Sequence, residues 1–366
     1  METLGVGIAG CGAIADAYAR DIASYPELEL VGATDLDPER AQKLVAVHGG
    51  QAYDDLGELL ADDRIELVAN LTVHQAHVAV TTGCLRAGRH VYSEKPLAMT
   101  VEEARGLVDL AADRGLRLGC SPCTLMGEAQ QTAWKLVRDG RLGEVRVVYA
   151  EANGGRIESW HPAPIPFYEA GALFDIGVYP LTIITGIFGP ARRVEAFART
   201  VAPERRLPDG TAFTLTVPDF TVVLLELESG LLVRLTANFY APRRGPQKTL
   251  IEMHGDLGSV ALSSWQDFDS AVGYAEFGQE YEPVELLAPG RHGTEFGRGI
   301  RDLAQAIAEE RPHRASGEHA AHVVEIVCAA AAAAERGEPV DVGSSFSAPE
   351  PLPWAVPAPA TPGTRG

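Results

Sequence analysis

The chain has 366 residues, of which 46% are hydrophobic and 22% charged, and its formal net charge is −19. This length suits two domains, and these proportions are those of a soluble globular protein. The acidic excess disfavours nucleic acids and anionic membrane surfaces as partners, since both are bound through basic surfaces, and it is compatible with a small neutral substrate.

Two features bear on the cellular compartment. The longest apolar stretch found in the sequence, residues 323–334, is too short to span a bilayer, which takes about 20 residues. Residues 1–3 lead directly into an apolar segment without a basic region, so no signal peptide is expected. We therefore expect a cytoplasmic protein.

The first element of the chain is a buried strand that ends in a glycine-rich turn. Residues 4–10 form an apolar run, the pattern Gly10-x-Gly12-x-x-Ala15 follows, and residues 16–24 have helical composition. In this context the first glycine permits a tight turn, the second lets the backbone approach a pyrophosphate, and the alanine allows close helix packing. The residues predicted to hold a dinucleotide here are Gly10, Gly12, Ala13 and Ile14.

The second strand, residues 29–34, ends at Asp35, 23 residues after Gly12. A carboxylate at this point accepts hydrogen bonds from the ribose hydroxyls of NAD and repels a 2′-phosphate. Asp35 therefore favours NAD over NADP. Arg40 could offset part of the repulsion, so that use of NADP stays open, and a strand-end or helix-capping aspartate is the structural alternative.

Strands and helices continue to alternate up to residue 119, which predicts a parallel, doubly wound sheet. In such sheets ligands bind beyond the carboxyl ends of the strands. Four residues at such ends are predicted to contact the cofactor, namely Thr72, His74, Glu94 and Lys95. This placement is the main reason for treating Lys95 as functional.

From about residue 121 the pattern changes to consecutive strands joined by tight turns, which predicts a large, open, mostly antiparallel sheet. One face is expected to pack on helices and the other to pair with a second subunit, in a homodimer or homotetramer. The fold class is α/β. The predicted divisions are 1–122 for a dinucleotide-binding domain, 123–342 for a substrate-binding and oligomerisation domain, and 343–366 for a flexible or wrapping tail rich in proline and alanine.

Asp175 and Tyr179 are four residues apart, which places both side chains on one face of a helix. An enzyme that removes hydride from an alcohol carbon needs a group that takes the hydroxyl proton. A tyrosine can serve if a lysine ammonium stabilises its phenolate, and Lys95 is the candidate partner. We predict these three as the catalytic residues; a buried tyrosine beside a capping aspartate is the structural alternative.

The glycine pattern, the triplet Glu94-Lys95-Pro96 and the segment from Gly171 to Tyr179 together resemble the Gfo/Idh/MocA family of oxidoreductases, over a range from about residue 4 to residue 342. The resemblance implies a Rossmann domain followed by an α/β domain with a large open sheet, with the active site between them. It further implies NAD(P)-dependent oxidation or reduction of sugars, polyols or similar diols.

The same resemblance assigns individual roles. Lys95 matches the active-site lysine of the family and Asp175 its substrate-binding aspartate, while Tyr179 resembles the glucose–fructose oxidoreductase and dihydrodiol dehydrogenase branch. Two stretches depart from the pattern. Tyr168-Glu169-Ala170 stands where many members have glycines, and Ser93 precedes the triplet where a cysteine or related small residue is usual.

A tryptophan–histidine pair precedes the second motif. Trp160 is predicted to stack on a sugar ring, and His161 to bind a hydroxyl or act as a second acid or base. Packing of this loop against the sheet is the alternative, because aromatic residues are common in ordinary packing.

No metal site is predicted. Cys120 and Cys123 form a Cys-x-x-Cys pair, but no second pair or histidines at ligand spacing follow it, so buried thiols are expected. His319 and His322 have a spacing that a metal could use, without a carboxylate-rich context.

The leading hypothesis from the sequence is an NAD-dependent dehydrogenase or reductase that acts on a sugar or cyclic polyol. A second hypothesis is a glycoside-cleaving enzyme that uses tightly bound NAD for transient oxidation at C3, without net redox change. A non-catalytic nucleotide-sensing regulator on the same scaffold is the third.

Overall fold

A computed structural model of the chain describes residues 3–242, 250–290 and 293–356. The first six strands are β1 (Leu4–Ala9), β2 (Leu28–Thr34), β3 (Gln51–Ala52), β4 (Leu67–Asn70), β5 (His90–Ser93) and β6 (Leu118–Cys120). They form one parallel sheet in the order β3-β2-β1-β4-β5-β6. The helices between them are α1 (Ala15–Ser24), α2 (Pro38–His48), α3 (Leu56–Ala61), α4 (His77–Arg86) and α5 (Val101–Asp113). This confirms the predicted doubly wound sheet.

Two helices that follow strands of this sheet are capped at their N-termini. Asp37 accepts a hydrogen bond from the Glu39 N–H at 3.1 Å at the start of α2. At the start of α5 the Thr100 hydroxyl accepts from the Glu103 N–H at 3.2 Å and donates to the Glu103 carboxylate at 2.9 Å. The strand order reverses between β1 and β4, and such sheets bind ligands at the carboxyl ends of the strands beside this point.

The second sheet is built from later strands: β7 (Val145–Asn153), β8 (Ala191–Arg199), β11 (Phe220–Leu227), β12 (Leu232–Asn238), β13 (Ile251–Gly255), β14 (Gly258–Leu262), β15 (Val272–Glu276), β16 (Glu282–Val284) and β17 (Val340–Asp341). The order is β16-β15-β14-β13-β7-β12-β11-β8-β17, antiparallel except between β7 and β12. A hairpin of β9 (Glu204–Arg206) and β10 (Ala212–Thr214) lies apart from it. A large, open, mostly antiparallel sheet is thus confirmed.

The remaining helices are α6 (Glu128–Arg138), α7 (Ile165–Ala172), α8 (Val178–Phe188), α9 (Arg298–Ala308) and α10 (Gly317–Arg336). Alternate residues of the strands point towards them, as Val223, Leu225 and Leu227 on β11 do, and form the main apolar core. The opposite side chains, including Leu224 and Phe197, are exposed on the other face of the sheet. The pattern follows from the two-residue period of a strand.

Helix α9 belongs to the core of the first domain, although the division made from the sequence assigned it to the second. Ile300 and Leu303 are buried in one cluster with Tyr18 and Tyr92 of the first domain. Helix α10 packs both on α5 of the first domain and on β8 of the second. The two domains are therefore joined by helices that return late in the chain, which local sequence patterns do not reveal.

The proline-rich segment contacts the rest of the protein where the structure describes it, over residues 343–356; its remaining residues lie outside the described part of the chain. Phe346 stacks on His319 with ring centroids 4.0 Å apart. Arg314 donates to the carbonyls of Glu350 and Pro351 at 2.8 and 3.0 Å. Side-chain hydrogen bonds to its backbone hold this segment on the surface without a core of its own.

Among the described residues, one helical stretch, Ile165–Phe188, is apolar and long enough to cross a membrane by length and composition alone. It is longer than residues 323–334, the stretch singled out in the sequence. It is also largely buried in the protein and interrupted at Gly171, whose φ of 81° is not helical. These properties are those of a core helix pair.

Candidate active site

The glycine-rich turn has the shape that a bound pyrophosphate requires. Gly10 has a φ of +96°, and a Cβ there would meet the Leu71 carbonyl at 2.8 Å, so only glycine fits between β1 and the end of β4. A Cβ on Gly12 would meet nothing within 4 Å and would project into open space. That space is the cradle that the backbone of a dinucleotide would fill.

The described residues supply no acceptor for the N–H groups of Gly12, Ala13 and Ile14, which precede α1. N–H groups at a helix N-terminus are donors for an anion, and the helix dipole favours negative charge there. Of the four residues predicted to hold the dinucleotide, Gly10 is buried and shapes the turn, whereas Gly12, Ala13 and Ile14 are accessible. Their chemistry fits a diphosphate group.

Asp35 lies directly beside this turn. One carboxylate oxygen accepts from the Cys11 N–H at 2.6 Å and the other from the Asp37 N–H at 2.9 Å. Asp35 therefore ties the turn after β1 to the loop after β2, which the sequence pattern did not predict. Leu36 is fully exposed beside it, at 105% of its reference area, and adds an apolar surface to the same edge.

The loop after β4 is held by buried hydrogen bonds. Asn70 accepts from the Thr72 hydroxyl at 2.6 Å. The ring of His77, which is 1% exposed, lies with Nδ1 2.7 Å from the Pro96 carbonyl and Nε2 3.0 Å from the Thr72 carbonyl. His77 thus joins the loop after β4 to the loop after β5.

His74 lies between this loop and the second domain. Burial, and next the neighbouring His77, lower the pKa of His74 below its ordinary value, while Glu169 and Asp175 oppose the shift. The opposing charges come from α7 and from the turn after it. His74 is therefore close to the residues predicted as catalytic, as well as to the cofactor edge.

Glu94 is buried and its carboxylate is engaged by protein donors. It accepts from the Tyr18 hydroxyl at 2.6 Å, from the Ser121 hydroxyl at 3.1 Å and from the Lys95 N–H at 3.0 Å. We expected this residue to contact the cofactor. In the structure the Glu94 carboxylate instead bonds to donors from α1, from the loop after β6 and from the backbone of Lys95.

Lys95 is the residue on which the two domains converge. Its ammonium nitrogen lies 2.7 Å from a carboxylate oxygen of Asp175 and 2.6 Å from the carbonyl oxygen of the same residue. Burial on its own lowers the pKa of the Lys95 ammonium, but the charges of Asp175, Tyr179 and Glu94 outweigh it and raise the pKa above the ordinary value. Lys95 is therefore a partly buried donor that is held charged and in one position.

The helical segment that carries Asp175 has a local irregularity. Residues Leu173–Gly177 form a π-helical turn, and α8 follows from Val178. In a π-helical turn the N–H of residue i+5 bonds to the carbonyl of residue i. For Asp175 that residue is Pro180, which has no N–H. The Asp175 carbonyl accepts from Lys95 instead.

Tyr179 lies in the first turn of α8, directly after the π-helical turn that carries Asp175. Its ring centroid is 5.2 Å from the Lys95 ammonium, within the range of a cation–π contact. The same ring packs on Trp265 with centroids 4.6 Å apart. The structure thus brings Lys95, Asp175 and Tyr179 together. Trp265 was missed in the sequence, where the only signal is an aromatic residue in a turn directly after a strand.

Trp160 and His161 form an aromatic cluster at the start of α7. The His161 ring is 4.7 Å from that of Phe167, and the Trp160 ring is 5.7 Å from that of His161. Trp160 remains 49% exposed. Phe167 on α7 also contacts the Trp160 ring, with centroids 6.0 Å apart, so both rings pack on the start of this helix.

This loop is anchored by buried charges. Arg205 bridges Glu158 at 3.3 Å and Asp219 at 2.6 Å, and the side chains of Arg205 and Asp219 are almost fully buried. The Tyr168 hydroxyl donates to Glu158 and accepts from the Ile157 N–H. The loop that presents Trp160 is therefore held rigidly.

The cysteines and the late histidines have structural surroundings. Cys120 and Cys123 are free and buried, and their thiols donate to the carbonyls of Glu94 and Glu295. Burial lowers the pKa of His319 to about 3 and that of His322 to about 4. Within residues 3–242, 250–290 and 293–356, no group of three or more potential metal ligands occurs.

Two family models match the chain. Residues 4–121 match the oxidoreductase family with an NAD-binding Rossmann fold, and residues 130–261 match the GFO/IDH/MocA C-terminal domain. Both belong to one family, and together they cover most of the chain. The first match covers all six strands of the parallel sheet, and the second covers strands β7, β8 and β11–β13 of the second sheet.

Several characterised proteins are similar to the chain. Trans-1,2-dihydrobenzene-1,2-diol dehydrogenase of Bos taurus is 29% identical over 310 residues, which are 83% of this chain and 87% of the relative. The same enzyme of Macaca fascicularis is 30% identical over 60% of this chain, a match that spans only 64% of the relative's length.

Solved structures share the fold. An oxidoreductase domain protein of Kribbella flavida superposes with a TM-score of 0.83 at 25% identity, over 94% of this chain and all of that chain. Levoglucosan dehydrogenase, solved with NADH and L-sorbose, has a TM-score of 0.81 at 20% identity, over 93% of this chain and 99% of its own. The chain belongs to the Gfo/Idh/MocA family of oxidoreductases, whose first domain has the NAD-binding Rossmann fold.

Proposed function

We propose that the protein is an NAD(P)-dependent dehydrogenase or reductase that acts on a CH–OH group of a sugar, a cyclic polyol or a related diol. The observation that carries the proposal is the Lys95 ammonium, held charged by Asp175 beside Tyr179 and next to the edge where a dinucleotide fits. Relatives named as dehydrogenases of a dihydrodiol and of levoglucosan support this substrate class.

The cofactor, when bound, accepts or supplies hydride at its nicotinamide ring. The N–H groups of Gly12, Ala13 and Ile14 would hold the pyrophosphate, and Thr72 and His74 would line the nicotinamide end of the site. Asp35 keeps lone pairs for ribose hydroxyls beside its two backbone hydrogen bonds. Its negative charge supports NAD as the preferred cofactor, with NADP as the alternative.

On the protein side, three residues handle the proton and the charge. Tyr179 exchanges the proton of the substrate hydroxyl, because removal of hydride from the same carbon requires its loss. The Lys95 ammonium stabilises the negative charge that develops on oxygen, and its fixed position means that little reorganisation is needed. Asp175 holds Lys95 and accepts a hydrogen bond from a neighbouring substrate hydroxyl.

The loop before α7 would complete the substrate site. Trp160 presents an exposed aromatic ring on a rigid support, which suits stacking against the apolar face of a sugar ring. His161 lies beside it and would bind a hydroxyl. Both roles are proposals that depend on the substrate reaching beyond Asp175 towards this loop.

The open face of the second sheet is proposed to pair with another copy of the chain. Its exposed apolar residues include Phe197, Leu224 and Leu232, a composition more typical of an interface than of a solvated surface. Light scattering coupled to size exclusion tests this, and a monomer at micromolar concentration would contradict it.

The test of the proposed activity is nicotinamide absorbance. The purified protein is incubated with NAD⁺, and separately with NADP⁺, against free sugars, inositols, cyclic diols and glycosides, with Lys95→Ala as the control. Continuous production of reduced cofactor with one class is the expected result and identifies substrate and cofactor together. Consumption of a glycoside without net reduction, with NAD retained, would establish redox-neutral cleavage instead. Binding of nucleotide without any turnover would point to a regulator.

A further inference from the structure

Trp265 lies in the turn after β14 and is 2% exposed. Its ring packs on that of Tyr179, with centroids 4.6 Å apart and 35° between the ring planes. The indole N–H donates to the carbonyl of Glu151 at 3.1 Å. A buried indole whose one polar atom is satisfied has a well-defined orientation.

The support of Trp265 is rigid on both sides. Glu151 lies on β7, which is hydrogen-bonded to β12 on one edge and to β13 on the other. The turn itself is fixed because the Ser264 hydroxyl accepts from the N–H groups of Gln266 and Asp267, each at 3.1 Å. Trp265 therefore connects Tyr179 to the central strand of the second sheet.

Tyr179 lies at the start of α8, and the position of its hydroxyl depends on how the side chain is oriented. A phenol that exchanges a proton with a bound substrate has to point its hydroxyl at one atom, and errors of about 1 Å in such positions can cost on the order of 100-fold in rate. The contact with Lys95 is made through the ring face, 5.2 Å from the centroid. The orientation of the ring thus decides where both the hydroxyl and the neighbouring charge lie.

We propose that Trp265 is a positioning residue for Tyr179: its anchored indole sets the orientation of the phenol beside the Lys95 ammonium. This inference rests on the proposed dehydrogenase function. Because Trp265 is only 2% exposed and packs on the Tyr179 ring, it acts on the chemistry through Tyr179. It therefore affects the proton-transfer step more than the affinity for substrate or cofactor.

The kinetic test uses Trp265→Leu and Trp265→Phe in the full-length protein, each with and without Tyr179→Phe. Trp265→Leu is expected to lower kcat by about 10- to 100-fold, with KM within about 3-fold of wild type. Trp265→Phe keeps an aromatic ring against the phenol and should restore part of the loss. In the Tyr179→Phe background, Trp265→Leu should lower kcat further by less than about 3-fold, because the hydroxyl that Trp265 positions is absent.

A matched control is Trp134→Leu, which removes another buried tryptophan of the same apolar core, on α6. Any loss of stability should be similar in the two leucine variants, measured as the melting temperature, while kcat should fall only for Trp265. An equal loss of kcat from Trp265→Leu in both Tyr179 backgrounds would overturn the proposal, because Trp265 would then act through general packing.

A second measurement does not depend on turnover. With selectively labelled tyrosine and lysine, the nuclear Overhauser contact between the Tyr179 ring and the Lys95 side chain is recorded, and Tyr179→Phe supplies the assignment. Trp265→Leu is expected to weaken this contact and Trp265→Phe to preserve it. An unchanged contact in Trp265→Leu would overturn the inference. If the wild type turns over no substrate, the proposed function fails, and this measurement still decides the role of Trp265.

Discussion

The ammonium of Lys95 is bound by both the side chain and the backbone of Asp175, at 2.7 and 2.6 Å. The two residues come from different domains, so this pair is also a contact across the interface. Pro180, five residues after Asp175, has no N–H to offer this carbonyl in a π-helical turn, and the Lys95 ammonium donates to it. Charge and helix geometry therefore act together to fix one donor in the cleft.

Replacement of Lys95 by alanine should abolish most of the chemistry while leaving the cofactor site intact. We expect kcat to fall about 100- to 10,000-fold, in the range of a lost acid–base or charge-stabilising group. The dissociation constant for NADH, measured by fluorescence titration, should change little. Lys135→Ala is the control, since Lys135 pairs with Asp139 on the surface of α6. Loss of cofactor binding alone would contradict the proposed role of Lys95.

Asp175→Asn should move the alkaline limit of activity. Asp175 is the strongest influence that raises the pKa of the Lys95 ammonium. An amide of the same shape removes that charge, so the pKa of Lys95 falls and the lysine loses its proton at a lower pH. The basic limb of the kcat–pH profile is therefore expected to shift towards lower pH. A limb that stays in place would mean that another group limits activity there.

The two glycines of the turn should respond differently to a methyl group. Gly10→Ala forces a side chain into a backbone at positive φ against the Leu71 carbonyl, and should cost about 1–3 kcal/mol of unfolding free energy. Gly12→Ala adds a methyl group in open space, so its melting temperature should equal that of wild type. Its affinity for NADH should nevertheless fall about tenfold or more. Equal affinity in Gly12→Ala and wild type would argue against the proposed pyrophosphate position.

The stability of the protein should decrease on acidification through two buried histidines. The pKa values of His319 and His322 are lowered to about 3 and about 4, so the folded protein keeps both rings neutral. Their contribution to the free energy of unfolding is complete above the pKa of histidine in the unfolded chain, about 6.5. It is lost as the pH falls from there towards the pKa values of the folded protein.

For the fully buried His319 this amounts to about 2 kcal/mol between pH 6.5 and pH 5. His319→Gln does not titrate and should therefore flatten the dependence of unfolding free energy on pH over this interval. Urea unfolding at several pH values measures this pH dependence of the unfolding free energy. The same slope in His319→Gln and wild type would show that other groups control acid stability.

Trp160→Ala tests the proposed aromatic support for substrate. If a sugar ring stacks on Trp160, KM should rise about 5- to 100-fold, the equivalent of about 1–3 kcal/mol, with kcat nearly unchanged. Because Trp160 is half exposed and its loop is anchored by Glu158 and Arg205, the melting temperature should hardly change. An unaltered KM would remove Trp160 from the substrate site.

Local patterns in the chain were sufficient for the parts of the site that depend on a single strand–turn–helix unit. The glycine turn, Asp35 at the end of the second strand and Lys95 at the end of β5 were all placed by alternation and spacing. They could be predicted because parallel strands carry their binding residues at one edge, whatever their partners are. The approach of Asp175 to Lys95 was predicted only as a hypothesis from chemistry and family resemblance.

Other features involve residues far apart in sequence. Glu94 was expected at the cofactor, but Tyr18 and Ser121 engage its carboxylate from α1 and from the loop after β6. Helix α9 returns to the first domain after the second has been completed. Trp265 reaches Tyr179 from a turn 86 residues later in the chain. Local periodicity in the sequence does not predict contacts between residues so far apart in the chain.

The sequence by itself determined the order of strands and helices, the two-domain α/β architecture and the family, because these follow from hydrophobic period, turn residues and short motifs. Only the tertiary structure decided which oxygens bind the Lys95 ammonium, which donors bind the Glu94 carboxylate and which ring packs on Tyr179. The reason is physical: secondary structure depends on neighbours within a few residues, whereas the orientation of a buried polar or aromatic group depends on whatever distant side chains the completed fold places around it.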